Sequence, residues 1–351
     1  MIVEFSSRYK LNPVERPLTE QERLLHLEQK VLLDLHPHYQ LCVIKMNSTY
    51  LESVDKHFGW KGASSAVALV VILMFLSLYL GLIHVSMNRD MNSVATNDDS
   101  FVLIAAAGMI APLVVAAVWI LRRESFAYTH YPMRFNRKTR MVHVFRKNGT
   151  VLSVSWDSLY FTLGKIANTN EWEVRGHVIN SSNKAVCETF SLSYTGFLPT
   201  EFFSVSTTRP HAEDFLRAHW EFIRRYMEDG PGAVTGQIQF CMPVDKRRES
   251  FFVGAERIFA NIAGAPFVIY WIMSPICLIV SLSRWFAMRT SKLPRWPHDI
   301  EATCSIEPND PHAIEGAPDG TRVAVFLDAA STAGVCFSGT AHPATSKKNF
   351  L

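Results

Sequence analysis

The chain has 351 residues, of which 48% are hydrophobic, with a mean hydropathy of +0.07 and a formal net charge of +3. So small a charge argues against nucleic-acid binding, and the apolar residues stand in blocks rather than spread as a soluble core would spread them. The six cysteines (Cys42, Cys187, Cys241, Cys277, Cys304 and Cys336) form no CxxC pair and have no neighbouring His at ligand spacing, so buried reduced thiols are expected rather than a metal site.

The opening "MIVEFSSRYKLNP" places acid and proline where an export signal needs an apolar core, so no cleaved leader is expected. Leu18 to Leu35 predicts an amphipathic helix, with Leu24, Leu25, Leu27, Val31, Leu32 and Leu35 on one broad side and Pro37 as its stop. His36 and His38 lack a third ligand and read as loop. In "KMNSTYLESVDKHFGWKG" (Lys45 to Gly62), Thr49 and Glu52 have capping-box spacing, and Leu51, Val54 and Phe58 recur at helical intervals before Gly59. Trp60 and Lys61 suit the headgroup layer, where an indole is half buried and an ammonium reaches phosphate. The stretch reads as an interfacial helix feeding a membrane span, with a helix packed on a soluble domain as the other reading. Residues 1–63 are thus expected to supply cytoplasmic amphipathic and interfacial helices.

Ser64 to Val85 contains no Asp, Glu, Lys or Arg and is long enough to cross a hydrocarbon core of about 30 Å. Phe101 to Leu121 is a second span, whose Ala105, Gly108, Ala111 and Ala116 allow close approach of another helix. The two read as a transmembrane hairpin over 64–121. His84, ionisable but near the end of its run, is expected to sit in water. Beyond the second span come Arg122, Arg123, Arg134, Arg137, Lys138, Arg140, Arg146 and Lys147 against Glu124 alone, whereas the hairpin loop has Arg89 against Asp90, Asp98 and Asp99. Basic residues are retained in the cytoplasm, so both ends of the hairpin face it. The sequons at Asn47, Asn148 and Asn180 are then chance matches.

From Tyr131 to Gly230 the period changes. "RMVHVF" and "TVLSVSW" alternate around Asn148-Gly149, a hairpin signal, and "SLYFTLG", "EWEVRGHVI" and "AVCETFSLSY" read as further strands, the last two joined across Asn180 to Asn183. Pro210 opens a helix on which Phe215, His219, Phe222 and Tyr226 share a face. The fold class is an α+β membrane protein, with an antiparallel sheet domain over 122–258 capped by a C-terminal helix. That element order, directly after a transmembrane hairpin, resembles the bacterial pleckstrin-homology-like membrane proteins. The basic cluster admits three readings: topogenic charge, contact with anionic lipid, or a docking face for an acidic partner in which Arg134, Arg137, Lys138 and Arg140 are the contact residues.

A third apolar run, Ala260 to Leu282, is interrupted by Gly264, Pro266 and Pro275 and followed by Arg284, Arg289, Lys292 and Arg295. A single crossing would put that basic flank outside, against the charge rule. Either the run (259–283) crosses regardless, or it bends at Pro275 and returns as a re-entrant segment. Its flank, 284–315, holds Arg295 and Trp296 as interfacial anchors. Residues 316–351, rich in Ala, Ser, Thr and Gly, are expected to be a disordered tail.

No phosphate-binding loop, dinucleotide fingerprint, nucleophile elbow or zinc-protease motif occurs in the sequence. Asp157, Glu171, Glu173 and His177 could converge on one sheet face, although alternating surface strands point such residues outward anyway. The expectation is a non-enzyme without cofactor or metal.

The segments "MNSTYLESVDKHF" (Met46 to Phe58), "RFNRKTR" (Arg134 to Arg140) and "TSKLPRWPHDIE" (Thr290 to Glu301) resemble an uncharacterised proteobacterial inner-membrane family encoded near type VI secretion effectors. The resemblance covers the chain to about Glu315 and implies effector handling or immunity at the inner membrane. The expected function is an inner-membrane adaptor, in contact with membrane lipid, whose cytoplasmic domain binds a protein partner such as an effector. A membrane-embedded immunity protein and a lipid-acting enzyme are the rivals.

Overall fold

The computed structural model describes residues 15–88, 97–166, 172–180, 185–192, 212–238, 240–262 and 266–315. The expected tail over 316–351, the leaderless start and Cys336 lie outside these residues, as does Glu171. Among the described residues, three helices are long and apolar enough to cross a membrane: α2 (Ala63–Asn88), α3 (Asn97–Ser125) and α6 (Phe267–Thr290). Only 11%, 11% and 22% of their most apolar windows are buried against protein, so their leucine, valine and isoleucine side chains face outward.

The rest of the chain is an α+β domain with two antiparallel sheets. Its strands are β1 (His26–Leu27), β2 (Val43–Met46), β3 (Tyr50–Ser53), β4 (Met133–Asn136), β5 (Met141–Phe145), β6 (Val151–Ser155), β7 (Leu159–Lys165), β8 (Trp172–Ile179), β9 (Val186–Ser191) and β10 (Ile314–Glu315). One sheet runs β1-β7-β8-β9, the other β10-β2-β3-β4-β5-β6. The strands read from alternation are all present, with Asn148-Gly149 in the loop between β5 and β6, where Gly149 takes φ +85°. The helices are α1 (Glu20–Leu24), α4 (Ala212–Glu228), α5 (Phe251–Ala260) and α7 (His298–Thr303), besides the three long ones. As its spacing predicts, α4 buries His219, Phe222 and Tyr226, while Phe215 is half buried.

The core lies between the sheets and α4. Trp156, Phe161 and Trp220 meet there, with ring centroids 5.1 Å (Trp156 to Phe161), 5.4 Å (Trp156 to Trp220) and 4.4 Å (Phe161 to Trp220) apart. Each is fully buried, and burial of a large apolar side chain stabilises by about 1.5–3 kcal/mol.

Two expected helices are not formed. Over Leu18 to Leu35 only the single turn α1 is helical, capped by Thr19 and Glu22, and Leu24 is 84% exposed. This segment is a strap across the four-stranded sheet: Arg16 bridges Val186 of β9 at one edge, and β1 pairs with β7 at the other. The expected interfacial helix around Leu51 is the hairpin of β2 and β3. Asn47 Oδ1 accepts from the amides of Thr49 (2.8 Å) and Tyr50 (2.9 Å), a side-chain mimic of a turn that outcompetes the capping box. Helical structure resumes with the short 3-10 turn Phe58–Trp60.

The third apolar run also differs from expectation. It is two helices: α5 ends at Ala260, and α6 starts after Pro266 rather than at residue 259 or 260. Pro275 lies inside α6, which continues through it, so no turn-back occurs there. The bend lies instead between Ala260 and Phe267, and α5 packs back along α6, with Phe259 and Tyr270 rings 6.3 Å apart. The flank 284–315 ends at Ile314–Glu315, which pairs with β2, so the chain rejoins the six-stranded sheet. Cys187 is exposed, against the expectation of a buried thiol, because it points off β9 away from the core; Cys42, Cys241, Cys277 and Cys304 are buried.

Candidate functional site

The domain-side ends of α2, α3 and α6 meet in one cluster of polar contacts. The first backbone amides of a helix and its last carbonyls have no partners within the helix. Here Glu124, at the end of α3, accepts from Gly62 N (2.9 Å), Ser65 N (2.5 Å) and Ser65 Oγ (2.6 Å) at the start of α2. Lys61, just before α2, donates to the carbonyls of Glu124 (2.8 Å) and Tyr128 (2.7 Å) at the end of α3. Arg284 of α6 is wholly buried, donating to both oxygens of Glu249 (2.6 and 3.1 Å) and to the carbonyls of Phe58 (2.9 Å) and Lys61 (3.0 Å). Thr290 Oγ1 donates to the Ser125 carbonyl.

Beside this cluster is a cavity of about 330 Å³ between the ends of α2 and α3 and the segment Ala127 to Tyr131. Its walls include Trp60, Trp119, Tyr128 and Tyr131, with Arg123 and Lys147 contributing positive charge. The Arg123 guanidinium stacks 4.5 Å from the centre of the Trp119 ring. Buried Asp55 has both oxygens occupied by main-chain donors, Tyr131 N (2.9 Å) and His57 N (3.0 Å), and burial raises its pKa. Burial pushes the His130 imidazole down to about 3 and the Tyr131 phenol up to about 12, the latter helped by Asp55. Thr129 Oγ1 lies 3.0 Å from His130 Nδ1, but Asp55, turned to backbone amides, does not orient that imidazole as a catalytic base would require. The cavity thus has aromatic walls, a basic rim, and acids that accept from the protein's own amides.

A second polar cluster lies under the strap. Glu173 and His177 share one face of β8, as expected, with Arg175 between them, whereas Asp157 lies apart, paired with Arg140; the β8 residues are covered rather than pointing into solvent, because residues 16–27 cross over them. Glu22 accepts from both terminal nitrogens of Arg16 (2.6 and 2.7 Å) and lies 3.4 Å from His177 Nε2; Thr189 Oγ1 is 2.7 Å from His177 Nδ1. Glu173 holds Arg175 (2.7 Å), Lys56 and Ser191 Oγ (2.8 Å). Burial would raise both carboxyls, yet Arg16 around Glu22, and Lys56 with Arg175 around Glu173, hold each near 2. Both carboxylates of the cluster are paired within it, Glu22 with Arg16 and Glu173 with Lys56 and Arg175.

The residues expected to contact a partner are distributed differently. Arg134 is 2% exposed, donating to Glu52 (2.9 Å) and stacking 4.6 Å from the Trp296 ring. Trp296, expected as an interfacial anchor, donates to Glu52 Oε1 (2.9 Å), and Lys61 is buried at the helix ends, so these two side chains are engaged by protein. Arg140 bridges Asp157 and Glu228 at the surface, the latter at 2.8 Å, and exposed Lys138 pairs with Glu307. Arg137 Nε is buried without a hydrogen-bond partner. Trp60 and Arg295 are exposed, and His84, also exposed, lies 2.8 Å from Asn88 Nδ2 through its Nε2. Sequence reasoning missed Glu124 and Arg284 as structural pivots. Their signal was an acid and a base set against apolar runs, which the charge rule had already accounted for.

No curated protein and no solved structure matches the chain. Residues 110–308, more than half of the chain, match a family of unknown function, from the second half of α3 through α7, and the protein belongs to that family, DUF6708.

Proposed function

We propose that the protein is a non-catalytic anchor of a bacterial inner membrane that holds its α+β domain at the cytoplasmic face and works by binding a protein partner. The setting is the effector handling of type VI secretion suggested by sequence resemblance. The two antiparallel sheets with α4 support a pleckstrin-homology-like domain whose role is binding.

The observation that carries this reading is that each apolar excursion starts and ends at the same domain. The helix α2 leaves at Lys61 and α3 returns at Glu124, while α5 leaves at Glu249 and α6 returns at the Arg284 that pairs with it. Although α6 as a whole is long and apolar enough to cross, the part before the domain-bound Arg284, from Phe267 to Ser283, has 17 residues, the lower limit of the roughly 17–25 a crossing takes. The pair α5 and α6 is therefore a re-entrant hairpin bending near Pro266. That arrangement keeps Arg289, Lys292 and Arg295 on the same side as Arg122 and Arg123, and the conflict with the charge rule disappears.

The test uses full-length protein in cells. Resistance to alkaline extraction, with the domain protected from protease in intact spheroplasts, is expected. A photoreactive residue at Lys138 or Lys30 is then expected to cross-link an effector encoded beside the gene; digestion of the domain from outside would overturn the orientation, and absence of any adduct from either position the partner assignment.

A further inference from the structure

We propose that the cavity between the ends of α2 and α3 binds one phospholipid with an anionic headgroup. The inference rests on the membrane placement above and adds to it a specific ligand site. Three observations converge. The cavity opens where the exposed apolar surface of α2 and α3 stops: Val67 and Trp119 line it, 64% and 53% exposed, and Val70, Leu73 and Val115 continue the apolar surface along the helices. It thus lies at headgroup depth, where aromatic side chains with one polar end are favoured, and Trp60, Trp119, Tyr128 and Tyr131 supply four of them.

Its charge is arranged for an anion. Asp55 and Glu124 accept from backbone amides, whereas Arg123 and Lys147 stand on the walls from two different elements, α3 and the β5 to β6 loop. Arg123 is held over Trp119, which leaves its planar face fixed and its edge nitrogens available for two parallel hydrogen bonds to a phosphate. The size also fits: about 330 Å³ is at the lower end of the ~300–1,000 Å³ typical of small-ligand sites, enough for a phosphoglycerol head while the acyl chains stay along Val67 and α3. A basic residue near a membrane surface contributes about 1 kcal/mol toward anionic lipid even without a pocket.

The experiment is lipid retention. Full-length protein in nanodiscs of phosphatidylcholine, with or without a tenth of phosphatidylglycerol, is delipidated in mild detergent and the retained lipid counted by native mass spectrometry. One phosphatidylglycerol per chain is expected to survive, dropping at least fivefold in R123Q/K147Q. Val67→Trp, which fills the apolar side and leaves every charge in place, is expected to abolish retention as well. Circular dichroism melts of both variants are expected to stay near the parent. Equal retention of the two lipids, unchanged retention in both variants, or displacement of phosphatidylglycerol by millimolar inorganic phosphate would overturn the site. A protein that is not in the membrane at all would instead retain no lipid of either kind, which separates failure of the anchor from failure of the pocket.

Discussion

Lys61 and Glu124 cap each other's helices. The lysine closes the carbonyl end of α3 while the carboxylate closes the amide end of α2, and the two are 63 positions apart in sequence. Each charge is also of the sign the helix end favours, anion at an N-terminus and cation at a C-terminus. Lys61→Met and Glu124→Gln each remove hydrogen bonds made by a charged group and leave partly buried backbone groups unpaired, a loss of about 1.5–3 kcal/mol apiece. Because each residue serves the other's helix, the double variant is expected to cost less than the sum of the singles, by at least about 0.5 kcal/mol. Denaturation of the four proteins in detergent gives that coupling directly, and strict additivity would show that the two caps act independently.

The pair Arg284 and Glu249 is expected to behave differently, since both side chains are buried. Arg284→Met leaves the Glu249 carboxylate uncompensated and is expected to cost roughly 3–5 kcal/mol, whereas R284M/E249L, with both charges gone, recovers much of that. Loss of this clamp frees α6 from the domain, so limited proteolysis after Arg289 is expected in the single variant before any other cut. An R284M protein as stable as the parent would show that the clamp contributes nothing.

How far the sequence discloses this architecture depends on whether a segment's pattern is set locally. The three long apolar helices are legible because length and the absence of charge are enough to mark them. The strands β5 to β9 are legible because apolar and polar residues alternate along them and Asn148-Gly149 marks the first turn, even where a second layer covers the other face, as the strap does on β8. Tyr50–Ser53 is not: flanked by β2 and β4 and buried at all four positions, it loses the period of two, and Leu51, Val54 and Phe58 fall by accident at helical spacing. The strap from Arg16 to Leu27 fails for a related reason, since its leucines look amphipathic while Glu22 is drawn inward to Arg16 and His177. The junction cavity is hidden further still, because Arg123 and Lys147 meet Trp60 only once the hairpin has closed.

Acid stability is expected to fall in two steps. Burial lowers the His177 pKa from 6.5 to about 4, opposed by Glu22, so the folded state prefers the neutral ring. Its contribution is complete above pH 6.5 and is lost as pH falls toward 4. Buried His219, also lowered to about 4, acts in the same window. Glu22 and Glu173, held near 2 against an ordinary 4.5, are the second step, their contribution disappearing between pH 4.5 and 2. Melting temperatures from pH 7.5 to 3 are expected to decline from about 6.5 downward, and H177Q/H219Q to decline less steeply between 6.5 and 4.5, where buried His130, pushed down to about 3, still contributes. A parent protein flat from pH 7 to 5 would contradict the first step.

The proposed re-entrant path of α5 and α6 predicts accessibility. In a C187S/C336S background, which removes the thiol exposed among the described residues and the one outside them, Ser305→Cys lies past α6 on an exposed surface position and Asn92→Cys lies in the connection between α2 and α3. Membrane-impermeant maleimide added to intact cells is expected to label position 92 alone, and position 305 only after the inner membrane is opened. Labelling of both from outside would require α6 to cross.

Gly62 gives the sharpest single-atom test of how tightly the membrane helices are joined to the domain. Its φ of +96° lies in the region that only glycine adopts cheaply, and a Cβ built there would stand 2.3 Å from Arg284 Cα and 2.6 Å from Arg284 N. Neither atom belongs to a flexible side-chain end, so relief requires moving the backbone of α6 itself. Gly62→Ala therefore combines left-handed strain of about 1–2 kcal/mol with displacement of the Arg284 clamp, and is expected to destabilise more than R284M although it deletes no interaction. The comparison separates steric from electrostatic coupling. If Gly62→Ala costs only the strain, α6 is able to slide while keeping its salt bridge; if it exceeds R284M, close backbone approach is what locks the third helix to the hairpin.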